Sequence, residues 1–252
     1  MTIKKRETYS FSKLSSFAQC PYGWYLNYIQ HQKGIDNFFS LYGSFCHELC
    51  QKYADGEYEL DALPALYEWG FEDAVPLPAP PNKYVDLRQS YYDSGLAFFQ
   101  DWEGYGSCRI LGVETKFTIP ITDFDLTGFI DISFVDENGR YILRDYKSSK
   151  TISKTDLAHK IRQPYLYSLY YKQVYGRYPD ALQFYTFRNP KKRIVEVPFR
   201  EEEMENAVQW AVDTVAQIRQ EWAFEKQPDD WFCHQLCGQR ERCPCGQTKG
   251  VA

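Results

Sequence analysis

The chain has 252 residues, 44% of them hydrophobic and 17% aromatic, which is enough apolar material for one sizeable core or two small ones. A net charge of −5 excludes a protein whose whole surface binds polyanions, though it says nothing against a local basic groove. No apolar run approaches the roughly 20 residues of a membrane helix, and Lys4, Lys5 and Arg6 are not followed by the apolar stretch of an export signal. A soluble, cytoplasmic protein is expected, and eight cysteines in such a chain point to metal ligation or free thiols rather than disulfides.

Residues 10–30 read as two short helices joined at Cys20-Pro21, with Pro21 opening the second. Ser40 to Ala54 reads as a helix capped by Ser40 and stopped by Gly56, with Leu41, Phe45, Leu49 and Tyr53 on its buried face and His47 elsewhere. Leu60 to Phe71 and Tyr84 to Trp102 have helical spacing on either side of a proline-rich connector, Val75 to Asn82, so residues 57–105 form a helical insertion ahead of the first strand, Ile110 to Pro120. That strand carries Glu114. Phe124 to Val135 and Tyr141 to Lys147, separated by Asn138-Gly139, form a β-hairpin. Asp131 and Asp145 then sit on adjacent strands, and Asp145 and Lys147 share a face, an arrangement in which a carboxylate can bind a divalent cation beside an amine.

Thr155 to Val174 is expected as one helix with Gln163, Tyr167 and Tyr170 along one side. Ala181 to Arg188 and Arg193 to Phe199 are two further strands, and Glu201 to Phe224 a long helix. Basic residues cluster at Lys147, Lys150, Lys154, Lys160 and Arg162 and again at Lys191, Lys192 and Arg193; either set is a phosphate contact or a solvated face. The fold class is α/β (α+β) with a mixed central sheet flanked by helices. Near the end, Cys233, Cys237, Cys243 and Cys245 crowd into thirteen residues beside His234, which is metal-site rather than core composition, while Cys46, Cys50 and Cys108 read as buried apolar fillers.

Taken in order, Gly43-x3-His47, Glu114, Gly128-x2-Asp131, Asp145-x-Lys147 and Gln163-x3-Tyr167 resemble the RecB-like branch of the PD-(D/E)XK nuclease superfamily, across residues 10–245. The resemblance implies a restriction-endonuclease-like core filling residues 1–252 as one nuclease domain. It implies Mg²⁺ or Mn²⁺ held by His47, Asp131, Asp145 and the carbonyl of Tyr146, catalysis by Asp131, Asp145, Lys147 and Glu114, and substrate contacts from Gln163 and Tyr167. Ser-x-Leu-x2-Phe-x3-Cys20-Pro together with the C-terminal cysteines resembles the iron-sulfur staple of the cluster-bearing exonucleases in that branch: Cys20, Cys233, Cys237 and Cys243 around a [4Fe-4S] cluster, with the tail, residues 226–252, closing onto Cys20. The branch usually has one residue fewer between its first two C-terminal cysteines; Cys245 is an alternative ligand and Zn²⁺ an alternative metal. The expected activity is metal-dependent hydrolysis of DNA at ends or in single strands, in recombination, repair or CRISPR spacer processing, in a prokaryotic or phage setting and beside a helicase or recombination partner. Two other readings fit parts of the sequence. A catalytically weak DNA-binding scaffold subunit would keep fold and cluster, and an electron-transfer protein would need the cysteines but not the Asp-x-Lys hairpin.

Overall fold

A computed structural model describes residues 6–191 and 193–247. Lys4, Lys5, Lys192 and the last five residues of the expected tail lie outside the described residues. In chain order the elements are β1 (Thr8–Ser10), α1 (Phe11–Gln19), α2 (Pro21–Tyr28), α3 (Phe38–Ala54), α4 (Leu63–Ala74), α5 (Leu87–Asp101), β2 (Arg109–Ile121), β3 (Phe124–Val135), β4 (Tyr141–Lys147), α6 (Lys154–Lys160), α7 (Arg162–Tyr175), β5 (Ala181–Thr186), β6 (Ile194–Pro198), α8 (Glu201–Gln220) and α9 (Pro244–Gln247). Local chemistry sets most boundaries. Ser10 Oγ accepts from Lys13 N–H to start α1, Asp86 caps α5 through Gln89 N–H, and Gly176, at φ 72°, ends α7 in the left-handed conformation that costs glycine least.

Four expectations are corrected. Helix α3 begins at Phe38, because that ring is buried against Tyr91, and Ser40 lies inside the helix rather than capping it. Its buried face is Phe38, Tyr42, Phe45, Cys46, Leu49 and Cys50; Leu41 and Tyr53 are only partly covered, since the small thiols of Cys46 and Cys50 take the crowded side. The stretch expected as one helix is two, α6 and α7, broken at Ile161. Pro164 lacks the N–H that a continuous helix would need there, and Ser153 and Asp156 form a reciprocal capping box that gives α6 its own start. Finally, β1 precedes the strand expected to be first; three residues are too few to show a period. The hairpin, the α1–α2 break, the proline connector and the β5–β6 pair form as expected.

The chain divides into two compact units. One comprises residues 1–37, 118–127 and 208–252. Here β1 pairs in parallel with the start of β3, from Thr8↔Asp125 to Ser10↔Thr127, and Arg219 bridges Glu7 and Asp123. The C-terminal tail is laced to the segment after α2: Ile35 N–H donates to Gly238 O (2.9 Å), Gln239 Nε2 to Gln32 O (2.6 Å) and Arg242 Nη1 to Lys33 O (2.9 Å). Gly34 and Gly238 meet backbone to backbone, where a Cβ on either would crowd the other.

The second unit comprises residues 38–117 and 128–207. In it β4 lies antiparallel to β3 and parallel to β5, which is antiparallel to β6. With β2 also on β3, these five strands form a mixed sheet. Its core joins α3, α4 and α5 to one face of β3, β4 and β5 through Tyr42, Tyr67, Phe98, Ile132, Phe134, Ile142 and Phe187. Among the described residues no helix is long and apolar enough to cross a membrane.

Candidate active site

The β3–β4 ladder runs from Val135↔Tyr141 to Ile132↔Arg144. One residue further, a side chain takes over from the backbone: Asp131 Oδ2 accepts the N–H of Tyr146 at 2.8 Å. The carbonyl of the same Tyr146 faces His47 Nε2 at 3.1 Å, and His47 Nδ1 stands 3.5 Å from Asp131 Oδ2. The imidazole is held edge-on between the rings of Tyr146 and Phe187, 5.5 and 5.6 Å away. Glu114 arrives from β2 with φ +42°, a conformation that costs a non-glycine residue about 1–3 kcal/mol and re-aims its side chain out of the strand's regular alternation. Ligand atoms of His47, Glu114 and Asp131 all lie within 4.8 Å of one another.

Asp145 stands beside this trio rather than within it. Its Oδ2 lies 2.5 Å from Lys147 Nζ, an ion pair without the direction of a hydrogen bond, and has no other partner. Lys147 Nζ also donates to Gln163 Oε1, and Gln163 Nε2 to Tyr167 Oη, both at 3.4 Å, so Gln163 links the amine to the tyrosine. Tyr167 lies over Gly128: a Cβ there would meet the Tyr167 ring at 2.7 Å, whereas one on Gly43 would meet only Ser148, at an ordinary 3.5 Å. Half-buried Lys160 has its pKa lowered by desolvation first and also by the charge of Lys147, with Asp156 and Asp145 opposing. Of the second basic cluster, Arg193 is occupied by Asp101 and by the carbonyls of Ala97 and Phe98.

Negative charge is crowded here. Desolvation first, and then the charge of Asp145, push the Asp131 carboxyl up to about 6, against the pull of His47, Lys147 and the Tyr146 N–H. Desolvation, Asp131 and Asp145 push Glu114 up to about 7. An imidazole, two carboxylates and a backbone carbonyl form a hard donor set that fits Mg²⁺ or, with its nitrogen, Mn²⁺. The 3.1 Å between His47 Nε2 and Tyr146 O also matches the roughly 3 Å that separates neighbouring ligands of an octahedral ion with bonds near 2.1 Å.

The sequence matches the family profile of the PD-(D/E)XK nuclease superfamily over residues 8–244. The chain belongs to that superfamily. Its fold is similar to a protein from Eubacterium rectale described as "putative exonuclease", at 13% identity over 98% of this chain and 89% of that one with a TM-score of 0.52. A second solved structure, SSO0001, matches at 16% identity over 98% and 90% of the two chains, with a TM-score of 0.41. No curated protein matches the sequence. Members of this superfamily hydrolyse phosphodiester bonds, and the clustered His47, Glu114 and Asp131 supply this nuclease with an acidic site of the kind such hydrolysis uses.

In the other unit the cysteines also converge. Cys237 feels the charges of Cys20, Cys233 and Cys243, all of which raise its pKa after desolvation, and Cys245 is hydrogen-bonded to Cys243. Backbone N–H groups point at three of the sulfurs: Gly23 at Cys20 (3.4 Å), Asp229 at Cys233 (3.5 Å) and Gln239 at Cys237 (3.4 Å). Cys46 and Cys50 are buried fillers as expected, and Cys108 packs against the same core partly covered. The positive φ of Glu114 and the dependence of Tyr167 on Gly128 carry no mark in the sequence beyond the glycine itself.

Two outcomes follow. In the unfolded chain these carboxyls titrate near 4, so between that value and about 7 the ion-free folded protein binds more protons than the unfolded one, and its stability falls as pH rises through that window. The melting temperature without divalent ions is expected to drop from about pH 5 to about pH 8, Glu114→Gln to flatten the drop, and Mn²⁺ to reverse it; a flat profile in the parent would contradict this. Gly128→Ala is expected to displace Tyr167 and lower both stability, by about 1–3 kcal/mol, and cleavage, while Gly43→Ala leaves denaturant stability within about 0.5 kcal/mol of the parent.

Proposed function

We propose that the protein is a Mg²⁺- or Mn²⁺-dependent deoxyribonuclease of the RecB-like branch, an exonuclease acting on DNA ends or single strands, and that the whole chain serves one nuclease domain with residues 57–105 as its helical insertion. One observation carries the reading: the N–H and the carbonyl of Tyr146 are engaged by Asp131 and His47, with Glu114 alongside and the Asp145–Lys147 pair on the same strand end.

In this reading His47, Asp131, Asp145 and the Tyr146 carbonyl hold the ion, with Glu114 as a further carboxylate. The ion, when bound, lowers the pKa of water and offsets charge on the phosphate. Lys147, steadied by Asp145 and Gln163, lies beside the scissile phosphate, orients the attacking water and stabilises the charge that develops. Tyr167 sets Gln163, and so acts on the substrate side of the lysine. Glu114, at the edge of that donor set, is placed to accept the water's proton. Recombination, repair and CRISPR spacer processing, with a helicase as partner, are the settings in which DNA ends are offered to such a site.

Cys20, Cys233 and Cys237 are proposed as three ligands of a [4Fe-4S] cluster, because N–H groups aimed at sulfur are what a cluster's thiolates use. Cys243 is the fourth, with Cys245 bonded to it as the alternative, and Zn²⁺ is the competing occupant. Cluster and lacing together join the tail, residues 226–252, to Cys20.

The first test is cleavage of end-labelled single-stranded and duplex DNA by anaerobically purified protein with Mg²⁺, Mn²⁺ or EDTA. Asp145→Ala and Lys147→Ala are expected to lose at least about a hundredfold in rate while keeping the parent's circular dichroism; variants that cut as well as the parent would sink the assignment. A parent that binds DNA and never cuts it would instead favour the scaffold-subunit reading. Independently, the purified protein should carry iron and sulfide with broad visible absorption, lost together with thermal stability in Cys237→Ala; a colourless protein with one zinc per chain would give the site to zinc.

A further inference from the structure

Arg188 follows the end of β5, whose Thr186 pairs with Lys147. Between them, Phe187 donates its N–H to Lys147 O (3.0 Å) and sets its ring against His47. Arg188 therefore stands one residue from the wall of the acidic site. It is only 9% exposed, and among the described residues no carboxylate pairs with it. Its guanidinium carbon lies 3.3 Å over the centre of the Tyr91 ring, its side chain is hydrogen-bonded to Tyr91, Nη2 reaches Ser90 Oγ only at 3.5 Å, and among the described residues Nε is buried with no acceptor.

Other covered arginines in the same unit are satisfied. Arg144 gives Nε and Nη2 to Gln183 Oε1 at 2.9 and 2.8 Å, and Arg193 has Asp101 and two carbonyls. A guanidinium cannot shed its proton, so Arg188 keeps a full charge in a place where burial penalises it and nothing negative answers it. Folding alone gives no reason for this: a neutral side chain of similar length would pack on Tyr91 without the penalty.

We propose that Arg188 is a phosphate-binding subsite for the nucleic-acid strand, taking the phosphodiester next to the one at the acidic site; this rests on the nuclease reading above. Stacking on Tyr91 fixes the plane of the fork, the geometry in which arginine binds phosphate oxygens in pairs. Arg188 is tied to that site through Phe187, whose N–H holds Lys147 O and whose ring meets His47. Such a subsite explains why the cation persists: it is neutralised when substrate is bound.

The experiment compares the parent, Arg188→Met and Arg188→Lys in binding a labelled single-stranded oligonucleotide in Ca²⁺, and in cutting it in Mn²⁺. The same oligonucleotide carrying one neutral methylphosphonate linkage at successive positions is the second probe. Arg188→Met is expected to keep or raise the melting temperature, weaken binding about tenfold or more, and flatten the dependence of log Kd on log salt by about one. One methylphosphonate position should weaken the parent by the same factor and leave Arg188→Met indifferent. Arg188→Lys, which keeps the charge, should fall between the two and supplies the same comparison should the methionine variant not fold. Binding and cutting by Arg188→Met equal to the parent's, or a methylphosphonate effect identical in both, would overturn the subsite while leaving the nuclease intact. A parent that neither binds nor cuts would overturn the nuclease reading and this one with it.

Discussion

The acidic site depends on a single peptide unit. Asp131 takes the N–H of Tyr146 where the β3–β4 ladder stops, and the carbonyl of that residue faces His47, so one backbone position orients two of the candidate ligands and is itself a third. Tyr146 is held from the other side by the core: its hydroxyl is hydrogen-bonded to Tyr105 and its ring stacks on Phe187 (5.4 Å, 14°). Aromatic packing in the second unit thus fixes the polar geometry, as a site needs when donors must be placed to a fraction of an ångström.

Alternation along β4 makes this division of labour. Arg144 and Tyr146 point into the core, the arginine lying 4.7 Å from both the Phe134 and Tyr185 ring centres, while Asp145 and Lys147 form their pair on the opposite face. Asp131 and Glu114 are then brought close to Asp145 with too little positive charge to answer three carboxylates. Burial first, and then that crowding of charge, raise the pKa values of Asp131 and Glu114, and a divalent cation is a species that would offset both.

How far the sequence disclosed this depends on whether a feature is local. The hairpin was legible because Asn138-Gly139 demands a turn and the flanking residues alternate, and Asp145 and Lys147 on one face follow from that alone. The start of α3 was not, since Ser40 is a good cap and only the burial of Phe38 against Tyr91, from a distant helix, overrides it. The break at Ile161 was written in Pro164, yet the aromatic spacing after it masked it. A positive φ at Glu114 and a buried, unanswered charge at Arg188 are tertiary facts with no local signature. The cysteine tail lies between these cases: its density pointed to a metal site, but the approach of Cys20 to Cys237 depends on the folded chain.

The same contrast bears on why cysteines so far apart in sequence can share a site. The entropy of closing a loop grows only with the logarithm of its length, each doubling costing about 0.6 kcal/mol, so tying Cys20 to Cys233 costs little more than tying residues a quarter as far apart. Against that modest cost stand bonds that need no metal: Ile35 to Gly238, Gln239 to Gln32 and Arg242 to Lys33 already hold the tail on the segment after α2. Bringing the sulfurs together is therefore largely the work of these hydrogen bonds, and a metal held by the cysteines would add its free energy to thiols the fold has already gathered. The acidic site is the opposite case, since there the fold gathers carboxyls that repel one another, and a divalent ion would relieve that repulsion.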